Sequence, residues 1–149
     1  MYKRQLSTDP KYLILDEPTA NFDPDFKQDF LNVIMQFMES GKKSVIIASH
    51  ILDELDRIAD YLIYLDKGEL VYSGDIESFR DKYRIISGET YKVKLLKQED
   101  IIHVEDRKYG TKALVVNHGY SKYDGALTVT VPTLEEFMYH YSKRGESVI

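Results

Sequence analysis

An uninterrupted apolar run, Tyr12 to Leu15, stops dead at Asp16-Glu17-Pro18. Four apolar residues are too few for a helix and show no polar alternation, so the run predicts a strand buried on both faces of a parallel sheet. Pro18 ends it, because proline fixes φ and removes a backbone donor. In open α/β sheets the ligand crevice lies beyond the carboxyl ends of the strands. Asp16 and Glu17 are therefore delivered to the place where chemistry is done.

Adjacent carboxylates can divide the labour of nucleoside triphosphate hydrolysis. Asp16 suits Mg²⁺, which prefers hard oxygen ligands and keeps most of its waters. Glu17, one residue on, would face the other side of the chain and orient or deprotonate the attacking water. A second apolar run, Ser44-Val45-Ile46-Ile47-Ala48, leads into Ser49-His50. The segment Leu13-Ile14-Leu15-Asp16-Glu17-Pro18-Thr19-Ala20-Asn21-Phe22-Asp23-Pro24 resembles the Walker B segment and D-loop of ABC-type ATPases, and the second run resembles their next core strand and H-loop. The resemblance runs from about Leu6 to about Asp75 and includes Asp60 to Leu70, which resembles the last strands of the catalytic core. It implies Asp16 as the Mg²⁺ residue, Glu17 as the catalytic carboxylate, His50 as a γ-phosphate contact, and Asp23 at the seam between two ATPase domains. Asn21 and Phe22 depart from the commoner small-Gly-Leu-Asp loop, so the seam contacts stay open.

Other parts of such a machine are not in this sequence. A triphosphate needs a cradle of backbone N–H groups, usually Gly-x-x-x-x-Gly-Lys-Ser/Thr between a strand and a helix. The sole Gly-Lys pair, Gly41-Lys42, is followed by Lys43 and comes after a helix. No Gly-Gly occurs, hence no Ser-Gly-Gly signature loop, and no glutamine loop precedes Asp16. The resemblance thus implies a C-terminal fragment of the ATP-binding subunit of an ABC transporter, inactive alone. An alternative is a non-catalytic module that completes an ATPase whose phosphate loop sits on another chain. A soluble relative acting in translation or repair is a third.

Charge weighs against the third reading. The net charge of -5 gives no basic footprint for nonspecific nucleic-acid binding. The absence of cysteine excludes disulfides and thiolate metal sites and fits a reducing cytoplasm. No run approaches the roughly 18 apolar residues of a membrane span, and the basic N-terminus has no apolar core behind it to make a secretory signal. Membrane contact is expected only through a permease partner, at the inner face of the cell membrane. His103, His118 and His140 are expected to be exposed, with no spacing for a metal.

The expected fold class is α/β: the C-terminal part of a P-loop NTPase core with a mostly parallel sheet over residues 1–84, then a small α+β domain with a closing helix over 85–149. Asp23-Pro24 opens a helix with a core stripe of Phe26, Phe30, Val33, Ile34, Phe37 and Met38, closed by Ser40-Gly41. Ile51 to Ala59 makes a second helix with Asp53 and Glu54 at its positive end. Tyr61 to Leu65 and Leu70 to Tyr72 form a hairpin around Lys67-Gly68, and Asp75 to Tyr83 forms a helix. Ser87-Gly88 reads as a linker. Strands are expected at Tyr91 to Leu95, Ile102 to Arg107, Ala113 to Asn117 and Ala126 to Val131. Thr133 with Glu136 forms a capping box for a helix whose face is Leu134, Phe137, Met138 and Tyr141. Tyr109, Tyr120 and Tyr123 read as turn and packing residues rather than a binding surface. The cofactors implied are ATP and Mg²⁺, and the partners a transmembrane permease and a second ATP-binding domain.

Overall fold

The computed structural model describes residues 9–39, 41–120 and 127–145. By compactness the chain divides after Ile58, within the stretch 1–84 that the sequence assigns to one unit.

In the first unit, strand β1 (Tyr12–Asp16) pairs in parallel with β2 (Ser44–Ala48), in a register running from Tyr12 opposite Ser44 to Asp16 opposite Ala48. A parallel pair needs a crossover, and helix α1 (Pro24–Met38) supplies it. Asp23 caps α1 by accepting the Phe26 N–H at 2.9 Å, with Pro24 at the first helical position, where a missing donor costs nothing. At the other end the Gly41 N–H reaches the Met38 carbonyl at 2.9 Å, with Gly41 at φ +64°. Ser40 lies outside the described residues. Helix α2 (Leu52–Ile58) follows His50, and its Arg57 donates to Gln28 of α1 at 3.3 Å.

Two expectations are corrected in this unit. Strand β1 is buried on one face only: Leu13 and Leu15 pack on Phe30, Leu31 and Ile34 of α1, while Tyr12 and Ile14 are each 75% exposed. Within this unit α1 covers a single side of the strand pair, so side chains of opposite parity meet solvent. The helix stripe is also displaced. Phe26 and Val33 are exposed and Leu31 is buried, because the strand pair contacts a narrower face, centred on Phe30, Leu31 and Ile34.

The second unit opens with an antiparallel hairpin of β3 (Tyr61–Asp66) and β4 (Glu69–Asp75), turned at Lys67 and Gly68 with φ +50° and +81°. Two consecutive left-handed residues match the right-handed twist of the strands they join, and glycine takes the second at no steric cost. Asp75 caps helix α3 (Ile76–Lys82) by accepting the Ser78 N–H at 2.7 Å. A four-stranded antiparallel sheet follows, in the order β6 (Ile101–Arg107), β7 (Gly110–Val116), β5 (Tyr83–Gly88), β8 (Leu127–Thr130). Helix α4 (Thr90–Val93) contributes to one face, where Val93 and Leu96 join Ile86, Ala113, Val115 and Tyr120. Helix α5 (Leu134–Ser142) packs on the other, capped reciprocally by Thr133 and Glu136 as its sequence predicts. There Phe137 sits among Tyr64, Phe79, Tyr83 and Tyr141 at ring-centroid distances of 4.6 to 5.6 Å. Burying such a ring contributes about 1.5–3 kcal/mol before edge-to-face terms are added.

Two further readings change. Ser87-Gly88 is not a linker but the end of β5, paired with Lys112 and Thr111. Tyr91 to Leu95 is not a strand: the alternation of Tyr91, Val93 and Leu95 is overridden by a short helix and the turn after it, which bury Val93 and Leu96 together and leave Tyr91 and Leu95 exposed. The α/β class stands, with a parallel pair first and an antiparallel sheet after it.

Candidate functional site

The carboxyl ends of β1 and β2 lie side by side, so Asp16 and Glu17 emerge next to Ser49 and His50. Asp16, the last residue of β1, is exposed. Glu17 keeps the ladder going for one more bond, its N–H donating to the Ala48 carbonyl at 2.8 Å, but its φ is +43°. A non-glycine residue in the left-handed region is strained by about 1–3 kcal/mol and persists only where its surroundings over-determine it. Here they do. The Phe22 N–H closes onto the Thr19 carbonyl at 3.0 Å, and Thr19 is buried.

This twist aims the Glu17 carboxylate at the second strand end. His50 Nδ1 lies 2.8 Å from Glu17 Oε1, the His50 backbone N–H donates to the same oxygen at 3.2 Å, and the Ser49 hydroxyl donates to Oε2 at 3.2 Å. Ser49 is fixed in turn by the Ile51 N–H, which donates to its Oγ at 3.0 Å. The imidazole hydrogen bond, aided by the charge of His50 and the Ser49 hydroxyl, holds the Glu17 carboxyl below its ordinary value of 4.5 against the opposing effect of desolvation. An ionised carboxylate can only accept, so His50 Nδ1 carries the proton and Nε2 is left for another partner. A carboxylate offers about four lone-pair positions. Three are taken, and the fourth is on Oε2.

Glu17 and His50 are thus brought together, and Asp16 lies beside them in sequence and in register. Asp23 is placed in a structural role as the cap of α1. Sequence reasoning gave Ser49 no role of its own, though a hydroxyl directly before the histidine was the available signal. Among the described residues no group of three His, Cys, Asp or Glu side chains is arranged to hold a metal by itself.

Two of the three remaining histidines correct the sequence reading. His103 is 6% and His140 1% exposed, with their Nδ1 atoms 2.8 Å apart. They face each other because β6 and α5 share one side of the sheet. His118 is exposed and meets Asp100 Oδ1 at 2.6 Å. The Tyr120 hydroxyl donates to the other oxygen of Asp100, so the packing reading of Tyr120 holds; Tyr109 is 89% exposed and Tyr123 is outside the described residues. A cavity of about 310 Å³ at the β6–β7 turn is lined by Arg107, Lys108, Tyr109 and Lys112. Two of its cations are already matched, Arg107 by Glu105 and Lys112 by Glu136.

No family model matches the chain. Over about half its length it matches the ATP-binding proteins of ABC and energy-coupling factor transporters. A Mycoplasma pneumoniae protein designated an ABC transporter ATP-binding protein is 42% identical over 69 residues, which are 46% of this chain and 21% of that one. The energy-coupling factor transporter ATP-binding protein EcfA2 of Caldanaerobacter subterraneus is 41% identical over 81 residues, 54% of this chain and 28% of that one. EcfA2 of Streptococcus pyogenes is 35% identical over 69 residues, 46% and 24% of the two chains. The matched stretch is therefore about a quarter of the length of these relatives. Among solved structures, UvrA2 of Deinococcus radiodurans aligns over 56% of this chain and 14% of its own with a TM-score of 0.41 and 21% identity.

Proposed function

We propose that this chain carries the metal, water and γ-phosphate side of an ABC-type ATPase site, and that residues outside these 149 supply the phosphate cradle. The observation that supports it most is the captured carboxylate: Glu17, strained at φ +43°, is held by His50 and Ser49 at the end of a parallel strand pair. In this reading residues 1–84 are the C-terminal half of the core and 85–149 an accessory unit. The assembled protein hydrolyses ATP at the inner face of a membrane to drive transport through a permease partner, with Asp23 at the seam between two ATP-binding domains.

The residues fit Mg²⁺, whose usual sites use one or two carboxylates together with substrate phosphates and water; Asp16 is that carboxylate, exposed at a strand end. When bound, the ion would neutralise charge on the phosphates. Glu17 orients a water by accepting its hydrogen bond at the remaining Oε2 position. Held below the usual carboxylate range, it is a weak base while His50 donates to it. If His50 turned to a phosphate oxygen, Glu17 would lose that donor and gain basicity. Without a cradle the chain supplies neither the positioning nor most of the charge stabilisation that dominate phosphoryl transfer.

The test measures Mg²⁺-dependent ATP hydrolysis by the 149-residue chain alone and by the chain expressed together with the product of the coding sequence immediately upstream. Turnover is expected only in the second case. Turnover by the chain alone, abolished by Glu17→Gln, would overturn the proposal.

A further inference from the structure

The buried imidazole pair lies outside the candidate site and belongs to the second unit. We propose that His103 and His140 form an acid-sensitive latch, which ties helix α5 to strand β6 while at least one ring is neutral and loosens the helix when both are protonated.

Two ring nitrogens 2.8 Å apart form a hydrogen bond only if one carries a proton and the other a lone pair. Between neutral imidazoles this requires opposite tautomers. A first added proton goes to a remaining Nε2, or to an Nε2 already freed by tautomer exchange, and leaves the Nδ1–H···Nδ1 bond in place. A second proton puts N–H against N–H and breaks it. Only protons are exchanged, so the step balances with solvent.

The surroundings decide when this happens. On β6, His103 shares its face with Glu105 and Arg107; β7 adds Lys112, and α5 adds Glu136 and Tyr139. Glu105 accepts from Arg107 and from the Tyr139 hydroxyl at 2.8 Å, while Glu136 takes Lys112 at 2.5 Å, so both carboxylates are already matched. On the far side of the helix Tyr64 packs against Tyr141, and Asp66 takes Arg144 at 2.5 Å. None of these three carboxylates is left unmatched to welcome a second imidazolium. Burial first, then the facing charge of His103, lowers His140 from 6.5 to about 4.

The direction follows. Docked His140 refuses a proton that the undocked ring accepts, so docking is strongest above pH 6.5 and weakens as pH falls towards 4, by up to about tenfold per unit. The Phe137 cluster and the Lys112–Glu136 pair hold the first turns of α5 throughout. The His140 turn is the part that responds.

Amide hydrogen exchange of the 149-residue chain between pH 7 and 4.5, corrected for intrinsic exchange, tests the latch. Protection in the last turn of α5 should fall by about 100-fold relative to β7, and His140→Gln, which keeps a hydrogen-bonding side chain but cannot titrate, should flatten that profile. Imidazole nitrogen shifts of the wild-type chain give a reading that needs no variant: His140 should stay neutral to about pH 4, through the range in which α5 protection is already falling. Equal loss in α5 and β7, an α5 profile independent of pH, or the same profile in His140→Gln would each overturn the proposal.

Discussion

Two ring-nitrogen contacts of 2.8 Å in this chain have opposite consequences. His50, at an exposed strand end, meets a carboxylate and keeps it ionised. His140, buried between helix and sheet, meets another imidazole and is kept neutral. Distance does not separate them; solvent does. In the first unit the polar groups are presented at the end of the sheet, where a ligand can reach them. In the second, among the described residues, no buried polar side-chain atom lacks a hydrogen-bond partner, as expected of a packing interior.

If burial is what separates the two regions, truncation inside the second unit should cost far more than truncation at the strand ends. Phe137→Ala removes the ring at the centre of the aromatic cluster and should lower unfolding stability by about 3–5 kcal/mol in a denaturant titration. Ile34→Ala, 1% exposed under β1, should cost about 2–4 kcal/mol in the first unit. Glu17→Gln should leave the melting temperature nearly unchanged, since its ion pair is exposed to solvent. A large loss there would make Glu17 structural and erase the contrast.

Gly110→Ala sharpens the picture of the second unit. Gly110 has φ +124°, and an added Cβ would meet the Gly88 carbonyl oxygen at 2.5 Å, so β5 and β7 must part. A loss of about 2 kcal/mol is expected from the combined strain and displacement. Asp23→Ala should cost about 1 kcal/mol through the lost cap of α1, whether or not Asp23 serves a domain seam.

The smallest effect is a titration. In His50→Ala the Glu17 carboxyl should rise towards 4.5, read by carboxyl carbon shifts against pH. A depressed carboxyl contributes stability present above 4.5 and lost as pH falls through the folded value. His140, also depressed on folding, loses its contribution between 6.5 and about 4. Both weaken in acid, in different windows: one site holds a charge and the other refuses one.

The parts of the fold legible in the sequence are those whose signals are local. Pro18 stops β1, Asp23-Pro24 starts α1, and Thr133 with Glu136 starts α5, each through groups within three residues of one another. The Asp16-Glu17 and Ser49-His50 positions follow from where their strands end. The readings that failed depend on distant partners. His103 and His140 are 37 residues apart in sequence, and only the packing of α5 on β6 shows that they meet. The exposure of Tyr12 and Ile14 depends on which faces of β1 are covered, and Tyr91 to Leu95 alternates like a strand until Leu96 is seen to share the buried face with Val93. The left-handed φ of Glu17 had no sequence signal at all, since nothing about a glutamate announces it.

If the carboxylate held by His50 and Ser49 belongs to an ATP-hydrolysing site, Mg²⁺-dependent turnover of the assembled protein, with its phosphate cradle present, must depend on Glu17, and comparing it before and after Glu17→Gln measures that dependence. The account predicts a fall of at least about 100-fold, the lower end of what a positioned acid–base group contributes, with the fold unchanged. Turnover that survives the substitution would contradict it.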